Sequence, residues 1–219
     1  FVHKRKEKAY KNLELCNDKK EIRLLRLQPG YPWSRIRCEL QVASLELSQV
    51  PKYLALSYTW NEPIQPSAPL TTLRGMRQHI RGLYQHYLFP SHETILINGS
   101  RFPITRNLST ALRHLRDPQQ PVDFWIDAIC INQDDNEEKA QQVQMTRDIY
   151  SKAHLTCIWL GPRADGSDQA MDFIKSANKI DTSNANRLEN ESLVPTRALI
   201  ALFSRTWWQR VWVIQEALL

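Results

Sequence analysis

Three short stretches of this chain carry residue types that can do chemistry. The first is TWWQRVWVIQEALL (206–219), where Trp212 and Glu216 fall at i, i+4 and share one helical face. Trp208 lies one turn earlier, with Arg210 and Gln215 flanking. A carboxylate beside indole rings is costly to desolvate unless it is paired or used. Surroundings of that kind raise a carboxyl pKa and suit the group to stabilising a developing cation. The competing reading is a half-exposed glutamate on an amphipathic helix, paired with Arg210. The second stretch, FWIDAICINQDDNEEKAQQV (124–143), passes from a run rich in β-formers, holding Asp127 and Cys130, to a dense run of acids and amides opened by Asn132 and Gln133. Asp127, Asn132 and Gln133 could hydrogen-bond a ligand or simply fix the turn. Cys130, between two isoleucines and with no basic neighbour close in sequence, reads as a buried apolar residue rather than a nucleophile. The third stretch is Ser57 to Trp60, SYTW, where strand-end hydrogen bonding competes with a place in a binding site.

These stretches need elements to position them, and the hydrophobic pattern alternates strand with helix, as an α/β domain does. EIRLLRL (21–27) and IRCELQVASLEL (36–47) flank the turn QPGYPW as an N-terminal hairpin. KYLALSYTW (52–60) holds a continuous apolar run expected of a strand covered on both faces. TILINGSRFPI (94–104) is a hairpin on its Asn98-Gly99 turn. A helix capped by Asn107 follows, with Leu108, Ala111, Leu112 and Leu115 as its apolar stripe. VDFWIDAICI reads as a strand, and Asp135 and Glu138 have capping-box spacing for a helix to about Lys152. LTCIWLG (155–161) is a further strand. Helices are expected over 167–177, 195–203 and 206–219, with a polar loop at 178–192. In open parallel sheets ligands bind beyond the carboxyl ends of strands. Ser57–Trp60, Asp127–Gln133 and Gly161–Arg163 all fit that geometry.

Composition narrows the functional classes. The net charge of +6 is concentrated in residues 1–11, with five bases and one acid, and in 70–92, with three arginines and no acid. The basicity therefore belongs to a tail (1–20) and to an insertion after the first core strand (61–92), inside a domain spanning 21–219. A nucleic-acid surface is not expected. No stretch approaches the roughly 20 apolar residues that span a bilayer. The start is basic and polar, without the apolar region of a signal peptide. Four scattered cysteines, with no Cys-x-x-Cys pair, fit a reducing cytoplasm. His79 and His86 lack a carboxylate or cysteine at ligand spacing, so no metal site and no cofactor are expected. Gly-rich phosphate loops, Gly-x-Ser-x-Gly and His-Glu-x-x-His are absent from the sequence.

YLALSYTW, NGSRFPITRNLSTALRHLR, FWIDAICINQDDNEEKAQQVQMTRDIYSKAHLTCIWLG and SRTWWQRVWVIQEALL, in that order and spacing, closely resemble the fungal heterokaryon incompatibility domain from about Glu21 onward. The resemblance implies a cytoplasmic fungal protein that triggers programmed cell death when genetically different hyphae fuse, usually as the effector of a larger receptor. It departs from the family pattern at Asn61, where glycine is usual, and in the long 61–92 insertion. The domain in turn resembles, distantly, the Toll/interleukin-1 receptor (TIR) domain. That resemblance implies a flavodoxin-like, mostly parallel sheet flanked by helices. It also implies that WVIQEAL matches the helix bearing the catalytic glutamate of NAD-cleaving TIR enzymes. Glu216 is then the catalytic carboxylate and Trp212 its aromatic neighbour. Ser57, Tyr58, Trp60 and Arg210 would bind substrate, and Asp127 and Asn132 would hold ribose or order the loop. NAD is implied as a substrate, not a cofactor, with activity dependent on self-association and on allorecognition partners. The other functional class left open is a non-catalytic signalling module that kills by recruiting partners through the Trp-rich segment.

Overall fold

A computed structural model of the chain describes residues 8–16, 19–46, 50–60, 92–177 and 194–210. The expected insertion up to residue 91, the 178–192 loop, and Trp212 and Glu216 lie outside the described residues. A seven-stranded sheet organises the rest, in the order β5-β4-β2-β1-β6-β3-β7. The strands are β1 (Glu21–Leu27), β2 (Arg37–Ser44), β3 (Leu54–Tyr58), β4 (His92–Ile97), β5 (Ser100–Thr105), β6 (Val122–Trp125) and β7 (Leu155–Trp159). β3 lies between β6 and β7 and runs parallel to both, and β2 is parallel to β4. Only β1 and β5 run against the others, so five of the seven strands share one direction. The expected α/β class holds. Within the parallel trio the order across the sheet is second, first, third in chain order, as at the start of a flavodoxin-like sheet.

Local chemistry accounts for the strand pairs. β1 and β2 form the expected N-terminal hairpin, with Leu25 opposite Leu40 and Leu27 opposite Cys38 on a buried face. Arg116 shapes its connection, donating from Nε to the Gln28 carbonyl at 2.7 Å and from Nη2 to the Pro29 carbonyl at 2.9 Å. Gly30 packs against this guanidinium so closely that a Cβ there would sit 2.6 Å from Arg116 Cζ. The β4–β5 hairpin turns on Asn98 (φ 49°) and Gly99 (φ 76°), two successive positive φ values as a type I′ turn requires. In β3, Ala55 to Tyr58 are buried without alternation, as a strand covered on both faces must be.

The helices depart from expectation in instructive places. They are α1 (Arg106–Leu115), α2 (Asp127–Cys130), α3 (Asn136–Gln144), α4 (Thr146–Lys152), α5 (Ser167–Ala177) and α6 (Thr196–Phe203). α1 buries Leu108, Ala111 and Leu112 as expected, but its cap is Thr105, whose hydroxyl accepts from the Leu108 N–H; Asn107 is inside the helix. The strand expected over 122–131 stops at Trp125, and the chain turns into the single helical turn of α2. Asp135 caps α3, accepting from the N–H groups of Glu137 and Glu138. Glu138 does not complete a capping box, because its carboxylate is taken by Arg23 and by the Asn132 N–H. The long helix expected to Lys152 bends at Met145 into α3 and α4. α5 matches its expected span. The helix expected over 206–219 begins instead as a 3₁₀ turn (Thr206–Gln209), and Arg210 is extended (φ −80°, ψ 138°). Among the described residues no helix is long and apolar enough to cross a membrane.

Candidate functional site

The carboxyl ends of β3 and β6 open into a cleft of about 330 Å³. Trp60, just past β3, Asp127, which opens α2, and Arg210, after the 3₁₀ turn, all line it. Trp60 Nε1 donates to Asp127 Oδ2 at 2.9 Å, and the Ala128 N–H donates to Asp127 Oδ1 at 2.7 Å. Gln133 Nε2 donates to the Asp127 carbonyl at 2.8 Å. Asp127 thus uses both carboxylate oxygens to join the loop after β3 to the turn after β6. Its sequence reading as a residue that orders the loop has a direct geometric counterpart.

Ser57 and Tyr58 do not line the cleft; both are buried in β3 behind it. Ser57, 1% exposed, accepts from Trp207 Nε1 at 2.7 Å and from Arg210 Nη1 at 3.4 Å. Its hydroxyl therefore anchors the C-terminal segment to the central strand. The tryptophan that makes this contact is Trp207, which is buried, whereas Trp208 is exposed. Tyr58 keeps its phenol strongly protonated: burial pushes its pKa well up, the Asp127 carboxylate adds to that, and Arg210 opposes it. Among the described residues its hydroxyl has no hydrogen-bond partner.

Asn132 is not brought to this cleft. It lines a second hollow beside Tyr10, Arg23 and Glu138, and its N–H donates to Glu138 Oε1 at 2.6 Å. That hollow and a third one over the β1–β2 face are larger, but their charged linings include pairs already made, Arg23 with Glu138 and Arg26 with Asp123. Arg23 is 2% exposed and fully engaged: it pairs with both Glu138 oxygens at 2.6 and 3.0 Å and donates to the carbonyls of Leu13 and Cys130. The Tyr10 hydroxyl donates to the Ile129 carbonyl at 2.9 Å, with Arg23 above its ring. Together they hold α2 in place from below. Cys130 is fully buried there and its thiol is pushed up to about 12 by that burial, as expected of a residue that is not a nucleophile.

Asn107 acts from the other side. Its Nδ2 donates to the Thr59 carbonyl at 2.6 Å, and its Oδ1 accepts from Trp159 Nε1 at 2.9 Å. One side chain of α1 thereby ties the exit of β3 to the end of β7. Sequence reasoning also missed Trp125, Lys139 and Tyr150 in the cleft wall. The available signal was spacing: Lys139, Val143, Thr146 and Tyr150 recur at helical intervals, but their mixed polarity hides the stripe.

The family model described as heterokaryon incompatibility protein (HET) matches residues 53–216, three-quarters of the chain, including every cleft residue named above. The chain belongs to the HET family. This HET domain is 31% identical over 249 aligned positions to heterokaryon incompatibility protein 6, OR allele, of Neurospora crassa. The alignment takes in 95% of the present chain and 33% of that protein, so the HET domain chain spans about a third of its relative's length. No solved structure matches the chain.

Proposed function

We propose that this HET domain is a cell-death effector of fungal allorecognition and that it acts by hydrolysing NAD in the cleft beyond β3 and β6. The observation that carries the reading is the convergence of Trp60, Asp127 and Arg210 on one cleft, although they are far apart in sequence. The TIR resemblance names Trp60 and Asp127 as site residues, and Arg210 is the expected substrate-binding residue that flanks the Trp-rich face. Glu216 follows Arg210 by six residues in the sequence. In the proposed reaction the nicotinamide–ribose bond breaks, and its electron pair leaves with the nicotinamide nitrogen. Water bonds to the ribose carbon and releases one proton. The oxocarbenium-like state between these events is what Glu216 stabilises. Asp127 holds Trp60 and the α2 turn in position. The domain works in the cytoplasm, on self-association driven by allorecognition partners.

The test is release of nicotinamide from NAD by the purified chain, dilute and under crowding. Wild type is expected to release it when assembled, and Glu216→Gln to reduce release to background with an unchanged circular dichroism spectrum. An inert wild type in every assembled state, or an equally active Gln variant, would overturn the proposal. One observation favours a non-catalytic signalling module instead: Ile200, Phe203 and Trp208 are exposed, the last two with ring centroids 5.0 Å apart. Cell killing undiminished by Glu216→Gln but lost with Phe203→Asp would establish that second reading.

A further inference from the structure

One wall of the cleft comes from α3 and α4, on either side of Met145. Lys139, Val143, Thr146 and Tyr150 fall at i, i+4, i+7 and i+11, and all four line the cleft. The wall grades from a solvent-facing ammonium at one end to a buried aromatic ring at the other. Tyr150 meets Trp125 edge to face, with centroids 5.7 Å apart and planes at 76°. Trp125 is 2% exposed, and its indole N–H has no acceptor among the described residues. A buried donor left without an acceptor costs about 1–3 kcal/mol, so native proteins keep few of them.

Charge gives the other half of the ligand's description. Among the described residues the cleft lining holds two cations, Lys139 and Arg210, and one carboxylate, Asp127. Both oxygens of that carboxylate already accept hydrogen bonds, from Trp60 and Ala128. Arg210 is drawn toward Ser57. The Lys139 ammonium makes no ion pair among the described residues and stands at the mouth of the cleft. Aromatic residues in the lining and an exposed lysine beside them fit a planar ring joined to an anion.

We propose that Lys139 is the phosphate-binding residue of this cleft and makes it select nucleotides over nucleosides. This assignment rests on the nucleotide reading of the site made above. The ring system takes the Trp60, Trp125 and Tyr150 end, and the phosphate takes the Lys139 end. Ammonium suits the role because it is a point charge with three donors on a flexible stem.

Titration of tryptophan fluorescence with adenosine monophosphate and with adenosine tests it, since two indoles line the cleft. Wild type should bind the monophosphate at least about tenfold tighter than adenosine, the worth of one charge-assisted hydrogen bond. Lys139→Glu should bring the two affinities together, and Lys139→Arg should keep them apart. Lys139 is exposed, so these variants should melt at the wild-type temperature. A wild-type preference retained in Lys139→Glu, or no binding of either probe to wild type, would overturn the assignment. NAD hydrolysis by the same variants separates the two proposals. Hydrolysis with an unchanged KM in Lys139→Glu sinks the role of Lys139 and leaves the NAD reading standing. Lys139-dependent binding of the monophosphate without hydrolysis does the reverse.

Discussion

The turn after β6 has two sides, and they treat polar groups in opposite ways. Below it, Arg23 spends its guanidinium on Glu138 and two carbonyls, and the Tyr10 hydroxyl reaches the Ile129 carbonyl. Above it, the Tyr58 hydroxyl and the Trp125 indole N–H are buried with no partner among the described residues. The first arrangement is that of a scaffold, in which the Arg23 guanidinium and the Tyr10 hydroxyl are satisfied by other parts of the chain. The second leaves polar atoms unsatisfied among the described residues, Trp125 in the cleft lining and Tyr58 behind it. Family membership alone would not distinguish the two hollows; their hydrogen bonds do.

The largest test of that contrast is Glu138→Ala, which leaves the Arg23 charge buried and unpaired. It should cost about 3–5 kcal/mol in urea or guanidinium unfolding, whereas the double variant Arg23→Met, Glu138→Leu should recover most of the loss. A smaller test compares the two tyrosines at opposite ends of β3. The Tyr53 hydroxyl donates to the Ile149 carbonyl at 2.5 Å, so Tyr53→Phe should lose about 1 kcal/mol. Tyr58→Phe removes a hydroxyl with no partner among the described residues and should be neutral, or stabilising by a few tenths of a kcal/mol. Equal losses from both substitutions would erase the distinction between the partnered and the unpartnered hydroxyl at the two ends of β3.

Much of the scaffold was legible in the sequence because its signals are local. The β1–β2 hairpin, the Asn98-Gly99 turn, the buried run of β3 and the span of α5 all follow from residues a few positions apart. What escaped has its cause far along the chain. IDAICI has the β-formers of a strand, yet its carbonyls at Ile129 and Cys130 are claimed by Tyr10 and Arg23, more than a hundred residues earlier. With those partners supplied, the backbone closes into α2 and gives up the sheet. Asn107 has the chemistry of a cap, but Thr59 and Trp159 draw its amide elsewhere. The Trp-rich segment has helical spacing, but Ser57 binds Trp207 and Arg210 some 150 residues away, and Arg210 is extended. In the site itself, Trp60, Asp127 and Arg210 were singled out from their motifs, whereas Trp125 and Lys139, though inside the same long motif as Asp127, were not singled out until the three-dimensional cleft brought them together.

The Asn107 bridge has a consequence for which replacements the domain can accept. The two atoms it meets have opposite hydrogen-bonding sense, a carbonyl at the exit of β3 and an indole N–H at the end of β7. The amide is therefore used as an oriented plug with one donating and one accepting pole. Aspartate has almost the same shape but two accepting poles, and would set a carboxylate oxygen against the Thr59 carbonyl. Leucine fills the space and has neither pole. At this position the protein reads the polarity of a side chain as well as its size, so the mouths of two parallel strands are kept in step by a feature that volume-based substitution rules do not see.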